Sequence, residues 1–170
     1  MIGSTPHMRF TFWKAVETIN PEQAAPAPHF ELGRRGETLA VEHLEQAGYQ
    51  IVASNFSLPI GRSLRDAVIN AEIDIVAYEG PTLCFVEVKT RASDDFAPPQ
   101  VNVDLRKRRQ IARGALAYRR MLGLIKARYR YDVVTVVLAN DERPPRIQLI
   151  RNFWSDETMR RRTSYHAHWE

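Results

Sequence analysis

The sequence predicts an α/β fold, a mixed sheet flanked by helices, and three observations predict it. Two long stretches, 31–47 and 104–122, repeat apolar residues at helical spacing; short runs rich in β-branched and aromatic residues lie between and after them; and Tyr131 to Ala139 is apolar on both faces, as a central strand must be. The predicted order is helix, three strands, helix, two strands. A chain of 170 residues is about one domain long, and 44% apolar residues is enough for an ordinary core.

Each element has its own signal. Leu32, Leu39, Ala40, Val41, Leu44 and Ala47 fall at near-helical spacings from Glu31 to Ala47, and Gly48 stands where that helix should stop. Tyr49 to Asn55 follows as a strand. The polar segment from Ser57 to Asn70, which contains Pro59 and Gly61, is expected to be a mobile loop. Glu72 to Tyr78 and Leu83 to Thr90 are strands joined at a Gly80-Pro81 turn, a hairpin. Arg91 to Asn102 is a loop with Pro98 and Pro99, leading to a helix from about Asp104 to Leu122. After Pro144 and Pro145 comes a shorter strand, Ile147 to Arg151. The expected domain spans 30–154. Before it, 1–29 is interrupted by Pro21, Pro26 and Pro28 and reads as a flexible or loosely docked segment; after it, 155–170 reads as a tail.

Composition removes several function classes. No apolar run nears the roughly 20 residues that a bilayer-spanning helix needs. The single cysteine, Cys84, rules out a disulfide framework and a multi-cysteine zinc site. The N-terminus shows no secretory pattern, so a cytoplasmic location is expected.

Two carboxylates stand where a core strand should not carry charge. Asp74 interrupts Ile73, Ile75 and Val76, and Glu87 follows Leu83-Cys84-Phe85-Val86. Strand alternation puts Glu87 and Lys89 on one face with Leu83 and Phe85. An even-numbered hairpin loop sets Asp74 opposite Glu87, about 5 Å apart at Cβ. Opposed like charges are solvated, share a proton, or hold a cation between them; hard oxygens at that separation suit Mg²⁺ or Mn²⁺. Lys89 could then position a water and stabilise charge on a phosphate under attack. Glu37 shares a helical line with Ala40, Val41 and Leu44 and therefore faces inward. On spacing alone an edge ion pair satisfied by Lys89 explains Asp74 and Glu87 equally well, and Glu37 alone reads as a capping or salt-bridge group.

Gly36-Glu37, Gly48-Tyr49, Asn55, Glu72-Ile73-Asp74, Phe85-Val86-Glu87-Val88-Lys89-Thr90-Arg91, Val103 with Lys107, and Asp132-Val133-Val134 occur in an order that resembles the YraN family of bacterial proteins, over about residues 31–153. That family is similar to the PD-(D/E)xK nucleases, which include restriction endonucleases and Holliday junction resolvases. The resemblance implies a restriction-endonuclease-like core with Asp74, Glu87 and Lys89 in the Asp, Glu and Lys positions, and Glu37 as a glutamate assisting metal binding. Two departures stand out. Ala71 replaces a usual Gly before Glu-Ile-Asp and would be strained if φ there were positive, and the 57–70 segment is longer than usual.

Arg106, Lys107, Arg108, Arg109, Arg113, Arg119, Arg120, Lys126, Arg128 and Arg130 crowd one helix and its exit, against the single acid Asp104. Such a concentration creates a field suited to a polyanion, although Arg-rich helix faces are often merely solvated. Arg106, Lys107, Arg109 and Arg113 are expected to track the backbone of a nucleic acid, with Arg91 beside the acids, while Tyr118 is expected in the core. Glu72 and Asp132 are expected to support the site through hydrogen bonds.

The leading expectation is a metal-dependent, structure-selective endonuclease-like protein that hydrolyses phosphodiesters, in DNA repair or recombination. Mg²⁺ or Mn²⁺ would be held by Asp74, Glu87, Glu37 and the Val88 carbonyl. The alternative is a non-catalytic nucleic-acid-binding module on the same fold; a weaker one is an interaction protein whose basic helix docks an acidic partner. A symmetric DNA junction would call for a homodimer.

Overall fold

The computed structural model describes residues 28–92, 103–138 and 143–158. The expectations for the N-terminal segment, for most of the 91–102 loop and for most of the tail therefore lie outside the described residues. Helix α1 (Pro28–Gln46) is followed by β1 (Tyr49–Arg62), β2 (Val68–Glu79), β3 (Thr82–Arg91), α2 (Leu105–Met121), β4 (Tyr129–Val137) and β5 (Arg146–Trp154). The five strands form one mixed sheet in chain order. Only β3 and β4 are parallel, and α2 supplies the crossover that a parallel pair requires. The α/β class and the element order are those predicted.

Each helix covers one face of the sheet because each carries one apolar stripe. From α1, Ala40 and Leu44 are fully buried against Ile75, Ala77, Cys84, Val86, Val134 and Val136. From α2, Ile111, Ala115 and Tyr118 pack on Ile73, Val76, Leu83, Phe85, Tyr131, Val133 and Trp154. Full burial of each large apolar side chain contributes about 1.5–3 kcal/mol. Gly48, at φ 88°, ends α1 as expected. Asp104 caps α2, its carboxylate accepting from the Lys107 N–H at 2.8 Å. Tyr118 is in the core, edge-on to Phe56 and Phe85.

The segment from Ser57 to Asn70 is not the mobile loop that its polar composition suggests. It is the outer half of β1 and β2, paired as far as Arg62↔Val68 and closed by a turn in which the Ser63 N–H donates to Ala67 O at 2.8 Å. Phe56, Leu58 and Ile60 alternate with exposed Ser57 and Pro59, so the period of two is present. Pro59 and Gly61 flank a register shift on an edge strand, where a missing N–H and an irregular backbone cost little. The β2·β3 ladder ends at Ile75↔Val86. Beyond it the outer halves of β1 and β2 run on as a two-stranded ribbon. Arg113 Nη2 holds it to α2 through Ile60 O at 3.0 Å, and Gln110 Nε2 through Asn70 O at 2.8 Å.

Face alternation breaks where the ribbon begins. Ile73 and Val76 pack toward α2, whereas Ile75 and Ala77 pack toward α1, so two residues rather than one separate Ile73 from Val76 on the same face. Asp74 occupies that irregularity. Asn55, across from it on β1, takes φ 52°, in the left-handed region that asparagine tolerates. Ala71 is not among the residues with positive φ, so replacing glycine there strains nothing.

Candidate functional site

Glu87 is the centre of the site because β3 points it into the sheet's α2 face. Its side chain is 2% exposed, a position at which an ionised carboxylate must be paired. Two ammonium groups pair it. Lys89, two residues along the same face, places Nζ 2.7 Å from Oε1, and Lys107 places Nζ 3.3 Å from Oε2. Oε2 nevertheless accepts no aligned hydrogen bond among the described residues.

Asp74 stands where β2 parts from β3. The ladder no longer supplies a partner for the Val88 N–H, and Asp74 Oδ2 accepts it at 2.7 Å instead. Burial first, and then the charge of Glu87, push the Asp74 carboxyl up to about 7; the Val88 N–H and Lys107 pull the other way. Burial lowers the proton affinity of Lys107, but attraction to Glu87, Asp74 and Glu72 outweighs it and holds the ammonium above the usual lysine range. The predicted strand register, with Asp74 next to Glu87, is therefore the one observed.

Glu37 comes from the other side. It accepts a hydrogen bond from Asn55 Nδ2 at 2.9 Å, and with Asn55, Glu72 and Asp74 it lines a cavity of about 540 Å³ under the first turns of α1. Gly36 lets α1 approach this closely, since a Cβ there would lie 1.8 Å from Thr90 Oγ1. Asp74 thus meets Glu87 on one side and shares the cavity with Glu37 on the other. The expected convergence of three acids at one point is not reached: among the described residues, no three His, Cys, Asp or Glu side chains come close enough to hold a metal ion. Alternation assumes an unbroken strand, and the irregularity at Asp74 divides the acids. A two-carboxylate site still fits a hard cation. Glu87 Oε2 is a buried oxygen lacking an aligned donor, and Mg²⁺ takes one or two protein carboxylates while keeping its waters.

The remaining predicted residues separate. Val88 is buried and contributes its N–H to Asp74. Glu72 is exposed on the cavity wall. Asp132 is fully buried beside strand partner Val86, but on the α1 face, away from Glu87. Its oxygens accept from the Tyr49 hydroxyl at 3.0 Å, the Arg130 guanidinium at 2.9 Å and the Asn152 N–H at 2.8 Å, and Arg130 continues to Glu79. Arg91, Arg106, Arg109 and Arg113 are exposed. Lys107, expected to track phosphates, points into the site instead. The signal was in its helical phase: Ile111, Gly114, Ala115 and Tyr118 follow at i+4, i+7, i+8 and i+11, all buried. Asn55 as a partner of Glu37 was also missed, because pairing across strands and helix leaves no local pattern.

Among the described residues no helix is long and apolar enough to cross a membrane. The family model described as Uncharacterised protein family UPF0102 matches residues 36–136. A UPF0102 protein of Koribacter versatilis is 38% identical over 82% of this chain and 89% of its own length. One from Geobacter sulfurreducens is 40% identical over 71% and 86%, and one from Porphyromonas gingivalis is 43% identical over 72% and 82%. The matched residues contain Glu37, Asp74, Glu87, Lys89 and Lys107. With a family model spanning most of the folded core and relatives of this identity over most of their length, the chain belongs to the UPF0102 family, the YraN family that its motifs resemble.

Proposed function

We propose that the protein is a metal-dependent endonuclease-like phosphodiesterase acting on nucleic acid, with DNA the first substrate to test. The observation that carries this reading is the buried Glu87 carboxylate, bonded to Lys89 at 2.7 Å and adjoining an Asp74 whose proton affinity is raised. Carboxyl groups shifted by burial together with a like charge concentrate at functional sites. Asp74 and Glu87 would hold Mg²⁺ or Mn²⁺, with Glu37 and the Val88 carbonyl assisting. Such an ion polarises a phosphoryl oxygen and acidifies its bound water. Lys89, fixed by Glu87, orients the attacking water and stabilises charge developing on the phosphate. Lys107 pairs with Glu87 from the helix side, and Arg91, Arg106, Arg109 and Arg113 offer charge to the flanking backbone.

The test is a cleavage panel of duplex, single-stranded, flap and four-way DNA with Mg²⁺ or Mn²⁺. The wild-type chain should cut at least one substrate. Asp74→Asn, Glu87→Gln and Lys89→Ala should each lose roughly 100-fold or more, and Lys89→Ala should still bind. Unchanged cleavage in any of these variants removes that residue's role. A second reading, binding without turnover, is favoured by two features: two lysines already pair with Glu87, and no three acids cluster among the described residues. Steeply salt-dependent binding with no cleavage anywhere in the panel would select it.

A further inference from the structure

We propose that the cavity beside Asp74 is a subsite for one unstacked nucleotide of a single-stranded nucleic acid, with its base laid against Phe30. The inference rests on the nucleic-acid reading above and names its substrate class. About 540 Å³ lies within the range of sites that enclose a small ligand. Phe30 lines the cavity, yet this large apolar ring is 62% exposed. Among the described residues, a Cβ added at Gly33, one turn along the same wall, would meet nothing within 4 Å, so that stretch of the wall is not filled. An open aromatic face is what a base stacks on, whatever its identity.

Polar groups around the ring suit a nucleotide better than a bare phosphate. Glu37, Glu72 and Asp74 repel a free anion, but with Asn55 they offer acceptors to the exocyclic amino groups of a base. Arg34 stands on the same wall as Phe30. Its ion pair with Glu31 joins side chains 70% and 46% exposed, so little holds the guanidinium from a backbone phosphate. A base within continuous duplex has both faces covered by its neighbours. Only an unpaired one, at a single strand, flap, frayed end or junction, can use Phe30.

The test uses short oligonucleotides carrying 2-aminopurine, in EDTA so that no metal-dependent cleavage intervenes, as single-stranded DNA, single-stranded RNA and blunt duplex. Binding of a single strand should quench the 2-aminopurine. Phe30→Ala should weaken that binding about tenfold and abolish the quench, whereas Phe30→Tyr retains both and neither changes duplex binding. The DNA and RNA arms show which sugar is accepted. Phe30 is exposed, so both variants should match the wild-type melting temperature. Arg34→Ala should lower affinity while leaving the quench. Unchanged affinity and quench in Phe30→Ala, or an equal loss on duplex, would overturn the subsite. Phe30-dependent quenching with no substrate cut in Mg²⁺ or Mn²⁺ would leave the subsite standing and end the hydrolase reading; cleavage without Phe30-dependent binding would do the reverse. If the wild-type chain binds none of the oligonucleotides, the subsite falls, and the hydrolase reading falls with it only when the Mg²⁺ and Mn²⁺ panel also shows no cleavage.

Discussion

Asp74 is asked to carry charge where its surroundings oppose it. A carboxyl in water titrates near 4, and burial followed by the neighbouring Glu87 moves Asp74 to about 7. An acid whose folded value exceeds its unfolded value stabilises the fold fully below about 4, and that contribution is lost as pH rises through about 7. Asp74→Asn removes the penalty while its amide oxygen can still accept the Val88 N–H. The variant should therefore be more stable than wild type at pH 8, by roughly 2–4 kcal/mol, with the gap narrowing steadily toward pH 4. Urea denaturation in metal-free buffer at several pH values checks this; a pH-independent gap would mean that Asp74 ionises without cost. Mg²⁺ bound at Asp74 and Glu87 should act in the opposite sense, raising the wild-type melting temperature more at pH 8 than at pH 5. At this scale the sequence was legible where charge broke an apolar run, as at Asp74 and Glu87. It was opaque at Asn55, because its bond to Glu37 depends on which helix end faces which strand pair.

Small residues set how closely the helices approach the sheet. A Cβ on Gly114 of α2 would lie 2.7 Å from the Ala71 Cβ and 3.3 Å from Ile73 Cδ1. Gly114→Ala should therefore be destabilising by about 1–2 kcal/mol, the overlap outweighing the gain in helix propensity. Adding Ala71→Gly should recover most of that loss, a coupling measurable by a double-mutant cycle; additive effects would show that the two elements do not share this contact. The Ala71 Cβ thus fills space that Gly114 leaves. Gly36→Ala should be the more damaging change, because its Cβ would meet Thr90 at Oγ1, Cγ2 and Cβ together, and truncating Thr90 to Ala leaves the 2.8 Å overlap. Periodicity recovered α1, α2 and β1 to β5, since each apolar stripe has a face to cover. It failed over 57–70 because proline, glycine and polar residues were read as loop chemistry, when the alternation of Phe56, Leu58 and Ile60 already described an edge strand.

Across the whole molecule, the basic helix is less free than its composition suggests. The chain is net +4, and the stretch from Asp104 to Arg130 is so basic that the rest is net acidic. Five of those cations are engaged in the fold, Arg113 through its bond to Ile60 O. Lys107 pairs with Glu87, Arg108 lies over Phe153 and Trp154, Arg119 is 3.7 Å above the Tyr129 ring, and Arg130 joins Asp132 and Glu79. Arg106, Arg109, Arg120, Lys126 and Arg128 also stand at exposed positions, Arg109 with an interaction of its own. Counterion release then limits how steeply binding can fall with salt: each contacted phosphate adds about 0.7 to 0.9 to the slope of log affinity against log salt, so few contacts give a shallow line. Replacing Arg91 and Arg106 together by Glu should weaken nucleic-acid binding and lower the slope by about 1.5 to 2 while leaving the melting temperature unchanged. Arg130→Ala should do the opposite, melting early because Asp132 is left fully buried with one cation fewer, with no change in slope for the protein that remains folded. Titrations at several salt concentrations, beside thermal melts of the same preparations, separate the two groups. A slope unmoved by the double reversal would place the nucleic acid elsewhere on the surface.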